Sequence, residues 1–240
     1  MFDWTKKTTN PNDEKTRTEM LQFLTNIQEF KQEKFDLFLK NKIYNKRVLD
    51  IGVVEHDISY IDRKGWVHKQ IKENSKYCVG VDILCDLVEV LNKKGYTVHC
   101  MDATSDEYIG EKFDVVYIGD VIEHVNNPVN LIKFAKRHLL EGGEIIVSTP
   151  NPYFYRYIRQ HSKIKTVIDN FEHICWITPT MANEIARRAG VIFDKSIFLV
   201  SKNKIRRYLQ KKSPENYSKS FIYMILRIMI RSYNGKVATL

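Results

Sequence analysis

No uninterrupted apolar run in this chain of 240 residues reaches the roughly 18 residues that a membrane-spanning helix needs. The N-terminal stretch MFDWTKKTTNPNDEK has no apolar core of the kind a secretory signal requires, so a cytoplasmic protein is expected. Cysteine is scarce, and Cys78, Cys85, Cys100 and Cys175 show no CxxC spacing. Zinc and disulfides are therefore not indicated, and free thiols in a reducing compartment are the expectation. Acids are nearly missing from the end of the chain. From Lys195 onward there are 11 Lys/Arg and one acid, Glu215 (+10), whereas the residues up to Asp194 hold 27 Lys/Arg against 28 Asp/Glu (−1). A near-neutral body thus carries a basic tail. Such a tail can meet nucleic acid, an anionic membrane surface or an acidic substrate, or it can be a solvated face.

What is present suits a soluble protein with one sizeable core, since 43% of residues are hydrophobic and 28% charged. Residues from about Asp13 to Lys40 place Leu21, Leu24, Ile27, Phe30, Phe35 and Phe38 at spacings that predict amphipathic helix. RVLDIG, YCVGVDI, YTVHCMD, FDVVYIGD, EIIVSTP and VIFDKSIFLV read as six strands, several of them continuous apolar runs. Helices are predicted between them. One lies in DISYIDRKGWVHKQI with Asp57 as its cap, and CDLVEVLNKKG closes at Gly95. Asn127-Pro128 opens a helix to about Leu140, and Thr178-Pro179 opens another that ends at Gly190. This alternation predicts an α/β fold, a Rossmann-like doubly wound and mostly parallel sheet with helices on both faces. The last segments leave alternatives open. Phe221 to Ile230 could pack on the sheet as a buried helix, lie in a membrane interface or form a dimer contact, and KVATL could supply a seventh strand. The expected organisation is a helical segment over 1–46, a core over 47–200 and a basic extension over 201–240.

In a doubly wound sheet, ligands bind at the carboxyl ends of the strands near the switch in strand order. Four successive strand ends here carry an acid. Asp50-Ile51-Gly52 follows the first and Asp82 the second, where an acid can accept from a ribose diol. Asp102-Ala103 follows the third, where a carboxylate could accept from an adenine amino group. Gly119-Asp120 follows the fourth. A strand-end Asp is often only a helix cap, but four in register point to one nucleoside-binding crevice.

VLDIG, GVDI, CMDA, FDVVYIGDVIEHVNNP, LLEGGEIIVSTPNP and HICWITP, in this order, resemble the class I S-adenosylmethionine-dependent methyltransferases, in the branch of small-molecule, glycan and ubiquinone-type O-methyltransferases. The resemblance covers about Arg47 to Val200. It implies a seven-stranded fold with S-adenosylmethionine across the strand ends. Asp50, Gly52 and Val53 would lie by its methionine part, Asp82 at the ribose, Ile83, Asp102 and Ala103 at the adenine, and Gly119 and Asp120 along the methyl-donor pocket. One departure is plain. The family's Asp-x-Gly-x-Gly-x-Gly loop reads DIGVVEH, so Val54 and His56 replace two glycines and must turn away or re-route the loop. The missing glycines also weaken a nicotinamide reading, because a pyrophosphate needs their close approach.

A hydroxyl acceptor needs a base or a metal. His124 and His173 are the candidate bases. Asp120, Glu123 and His124, spaced so that they can share one face, could instead hold a divalent ion with His173. This resembles the acid-acid-His element of small-RNA 3′-end 2′-O-methyltransferases and of ubiquinone-type enzymes. A purely structural role for Glu123 and His124 is the third alternative. Tyr153, Phe154, Tyr155, Tyr157 and Trp176 gather where the family covers its acceptor pocket, either as stacking groups or as plain core. The expected acceptor is a small molecule or a glycan, lipid-linked if the basic tail meets a membrane surface. RNA is the second candidate, although no RNA-binding module is recognisable. A non-catalytic partner subunit is the third.

Overall fold

The computed structural model describes residues 2–25, 27–55, 59, 61, 63, 65–200 and 221–229, with backbone alone for 200 and 221–229. Its elements are α1 (Glu14–Leu24), β1 (Ile27–Phe30), α2 (Gln32–Ile43), β2 (Arg47–Ile51), α3 (Val67–Asn74), β3 (Tyr77–Asp82), α4 (Cys85–Lys93), β4 (Val98–Cys100), β5 (Phe113–Gly119), α5 (Pro128–Arg137), β6 (Leu139–Pro150), α6 (Tyr155–Ile164), α7 (Pro179–Ala189), β7 (Ile192–Val200) and β8 (Phe221–Met229). The eight strands form one sheet in the order β1-β7-β8-β6-β5-β2-β3-β4. All neighbours pair in parallel except β8, which runs antiparallel between β6 and β7.

The alternation of side chains along the strands explains the layering. Leu49, Ile51, Val116, Ile118, Ile145 and Val147 point to one face and bury Leu131, Ile132, Phe134 and Ala135 of α5 with Ala182 and Ala186 of α7. Their neighbours Val48, Val115, Tyr117 and Ile146 point to the other, against Phe35, Leu39 and Ile43 of α2 and Ile71 of α3. Both faces are thus covered, which buried parallel strands require. Local signals fix several helix ends. The Asn127 side chain accepts from the backbone N–H of Asn130 at the start of α5, and Thr178 does the same for Met181 at the start of α7. Gly190 closes α7 at φ +70°.

Four expectations need correction. The amphipathic segment is not one helix, because Ile27–Phe30 leaves it as an edge strand that pairs with Ser196–Leu199. The sheet therefore has eight strands rather than seven. The apolar stretch after residue 220 is a strand and not a helix, with Glu144–Pro150 on one side and β7 on the other. A short apolar run satisfies either geometry, and here the gap between β6 and β7 supplies backbone partners on both sides. Finally, Cys85 and Cys100 form a disulfide with a Cα–Cα distance of 5.0 Å, while Cys78 and Cys175 are free. The crossover from β3 through α4 to β4 brings the start of α4 beside the end of β4, a proximity that CxxC counting does not detect. The KVATL segment, Asp57, His56 and residues 201–220 lie outside the described residues. Among the described residues no helix is long and apolar enough to cross a membrane.

Candidate active site

The strand order reverses between β2 and its two neighbours, β3 and β5, and a cleft of about 1030 Å³ opens at their carboxyl ends. It is lined by Asp50, Gly52, Val53, Asp82, Ile83, Asp102, Ala103, Gly119, Asp120, Glu123, His124 and His173. The structure thus brings together every site residue expected from the sequence, although their environments differ.

Asp50 is buried at 2% exposure, and its Oδ2 lies 2.8 Å from His68 Nδ1, itself buried in the first turn of α3. Gly52 turns the chain at φ +83°, and a Cβ there would stand 2.2 Å from Val121 Cγ2, so any other residue would be strained and would have to push the Val121 side chain aside. Val54, in place of a glycine, packs against the cluster of Trp66, Val88, Leu91 and Val98, although it still borders the cleft. Its backbone N–H donates to Asp82 Oδ2 at 2.8 Å, and Trp66 Nε1 donates to the carbonyl of Val53 at 2.9 Å. The loop is held by these bonds rather than by glycine. The N–H of Leu84 donates to Asp82 Oδ1 at 3.0 Å. A carboxylate oxygen accepts more than one bond, so Asp82 can still receive a diol. Ile83 is exposed at 67% on the cleft wall. Asp102 is exposed and accepts from Thr104 N–H and Oγ1 at 2.7 and 2.8 Å, while Ala103 is buried.

At the tip of β5, Asp120 sits at φ +51°, a conformation that Asp tolerates better than most residues. Its N–H donates to the carbonyl of Ser148, and Ser148 Oγ donates to its carboxylate at 3.2 Å. Partial withdrawal of its carboxylate from water raises the Asp120 pKa to about 6, although the residue as a whole is exposed. Glu123 is buried at 1% exposure. Burial first, and the nearby Asp120 carboxylate second, raise its pKa to about 8. Thr149 Oγ1 donates to its Oε2 at 3.0 Å, whereas its buried Oε1 has no hydrogen-bond partner and lies 4.0 Å from His173 Nε2. The rings of His124 and His173 meet edge to face with centroids 4.7 Å apart. Glu123, His124 and His173 each present one ligand atom, and these atoms lie within 4.8 Å of one another. Asp120 is outside that group, and its Oδ1 accepts from Ser148 Oγ. An unpartnered buried carboxylate oxygen beside two imidazoles fits a divalent cation chemically.

The aromatic residues form the adjoining wall. Phe154 and Tyr157 line the cleft, Tyr157 meets Trp176 at 4.8 Å between centroids, and Tyr157 Oη donates to Asp169 at 2.7 Å. Trp66, His68, Met101, Asp169 and Glu172 also border the cleft. Sequence reading missed them. The only signal for His68 was its place two residues after Trp66 at a helix start, and nothing in sequence spacing pairs it with Asp50.

This strand order, with a cleft at the switch point, is the fold of the class I S-adenosylmethionine-dependent methyltransferases. The chain belongs to the methyltransferase-domain family, whose model matches residues 23–191. It is 25% identical over 129 residues to the ubiquinone biosynthesis O-methyltransferase of Haemophilus ducreyi, covering 49% of this chain and 51% of that one. It is 26% identical over 129 residues to phosphoethanolamine N-methyltransferase 1 of Arabidopsis thaliana, covering 48% and 24%. Among solved structures, a methyltransferase from Archaeoglobus fulgidus superposes with a TM-score of 0.59 at 16% identity, over 82% of this chain and 91% of that one; at such identity the likeness is one of fold. The chain spans about half or less of the length of the curated relatives it matches.

Proposed function

We propose that the protein transfers the methyl group of S-adenosylmethionine to a hydroxyl oxygen of a small-molecule or glycan acceptor in one in-line displacement. The observation that carries this reading is the Glu123–His124–His173 group, which shares the cleft with the strand-tip acids. A hydroxyl, unlike a neutral amine, must lose its proton as it attacks. The bound cofactor supplies a methyl carbon already activated by its positive sulfur. In this reading Asp82 accepts from the ribose hydroxyls, Ile83, Asp102 and Ala103 flank the adenine, and Asp50, Gly52 and Val53 shape the methionine side. Gly119 and Asp120 border the reacting carbon. His124 or His173 receives the acceptor's proton, and Phe154 and Tyr157 help exclude water and align the acceptor.

The orphaned Glu123 Oε1 favours a second form of the same reading. There Glu123, His124 and His173 would hold a divalent ion, which would supply Lewis-acid activation of the acceptor hydroxyl. The relatives divide between oxygen and nitrogen acceptors, so support for a hydroxyl comes from the two imidazoles beside Glu123 rather than from the resemblance. The test is a panel of hydroxyl and amine acceptors with labelled cofactor, the product being located by mass spectrometry. Methylated oxygen is expected, with His124→Ala or His173→Ala lowering kcat by about 100-fold or more while binding of S-adenosylhomocysteine is kept. Methylation of nitrogen, or full activity in both variants, contradicts the reading. Full activity in excess chelator removes the metal form alone.

A further inference from the structure

A second recess, of about 520 Å³, lies against α6 and shares Arg156, Tyr157 and Asp169 with the main cleft. Arg156, Arg159 and Lys163 line it. They stand at i, i+3 and i+7 of one helix and therefore on one flank. The carboxylate on that wall, Asp169, is engaged by Tyr157 Oη at 2.7 Å and lies 3.5 Å from His173 Nδ1. Three cations therefore face one carboxylate that already serves the cleft. The wall is fixed from the loop side as well, because Gln160 Oε1 accepts from the N–H of Ile168 at 3.0 Å. Beside the cations Ile168 lines the recess and is exposed at 56%.

We propose that this recess binds the phosphate or diphosphate group of the acceptor, with Arg159 and Lys163 as its specificity-determining residues and Arg156 at the junction with the cleft. The inference rests on the methyl-transfer reading and names its substrate class, a phosphorylated hydroxyl compound whose anionic end sits on α6 while its hydroxyl reaches the His124–His173 end. Guanidinium and ammonium groups on one flank suit the spread charge of phosphoryl oxygens. The phosphate can be carried on a lipid or on a soluble compound, and the test below separates the two.

Calorimetric titration with inorganic pyrophosphate, in the presence of S-adenosylhomocysteine, tests this directly. The wild-type chain is expected to bind it saturably at millimolar or lower concentration. The Arg159→Gln/Lys163→Gln variant is expected to bind at least about tenfold more weakly, and the charge-keeping Arg159→Lys/Lys163→Arg variant to bind more tightly than the neutral one. Unsaturable binding by the wild-type chain, or equal binding by the neutral variant, overturns the proposal. Titration of S-adenosylhomocysteine alone reports separately on the methyl-transfer reading, since neither residue lines the cleft. Cosedimentation with phosphatidylglycerol vesicles, against phosphatidylcholine vesicles, identifies the source. Association lost in the neutral variant points to a lipid-borne phosphate, and pyrophosphate binding without vesicle association to a soluble phosphorylated acceptor.

Discussion

At the tip of β3, Asp82 serves the loop and the cleft together: its two oxygens accept the N–H groups of Val54 and Leu84 and still border the crevice. In a loop without its second glycine, a backbone bond to this buried carboxylate fixes the position of Val54. Glu123 is the residue whose chemistry is most displaced. Unfolded, it titrates near 4.5, and in the fold at about 8. Between those values the folded state holds a proton that the unfolded state has released, so Glu123 lowers stability progressively as pH rises from about 4.5 to about 8. Below that window the penalty is absent, and above it the penalty is complete. Glu123→Gln keeps an acceptor for Thr149 and removes the titration. In chelator, the urea midpoint of the variant is expected to rise relative to wild type between about pH 6 and about pH 9. A difference that does not change with pH contradicts the assigned environment.

The elements differ in how openly the sequence announces them. Strands β2, β3, β5 and β6 were legible because burial on both faces demands continuous apolar runs, and α5 and α7 because Asn127-Pro128 and Thr178-Pro179 are capping signals. β1 was not, because a four-residue edge strand with only Phe30 buried is indistinguishable from a turn of amphipathic helix. β8 was not, because it fills the gap between β7 and a β6 more than seventy residues away, and only tertiary context chooses strand over helix. The N-terminus is tied down by similarly distant bonds. Phe2 N–H donates to Asn183 Oδ1 at 3.1 Å, and Asn183 Nδ2 donates to the Phe2 carbonyl at 2.8 Å. Asn183 is fully buried, so Asn183→Ala is expected to cost about 2–3 kcal/mol, measured by urea denaturation. A loss within error of zero places the N-terminus elsewhere. The Cys85–Cys100 bridge makes an equally simple prediction. Titration of the unfolded chain with a thiol reagent is expected to find two reactive thiols without reductant, Cys78 and Cys175, and four after reduction. Four without reductant would show that the pair is not bridged in the isolated protein.

At the scale of the whole molecule, eight strands place four acids along one edge of a sheet covered on both faces. The acids were readable because each ends an apolar run. The Asp50–His68 pair and the walls from α6 and the loop before α7 were not, because each depends on where the chain returns in space. Most of the basic tail lies outside the described residues, so the cleft and the α6 recess, rather than net charge, carry the functional argument. Its central claim is that the crevice at the β2–β5 switch holds the methyl donor through Asp82, and calorimetry with S-adenosylhomocysteine tests it most directly. The account predicts one site per chain at micromolar affinity, weakened about tenfold or more in Asp82→Ala and little changed in Arg159→Gln. No binding by the wild-type chain, or equal binding by Asp82→Ala, would contradict it.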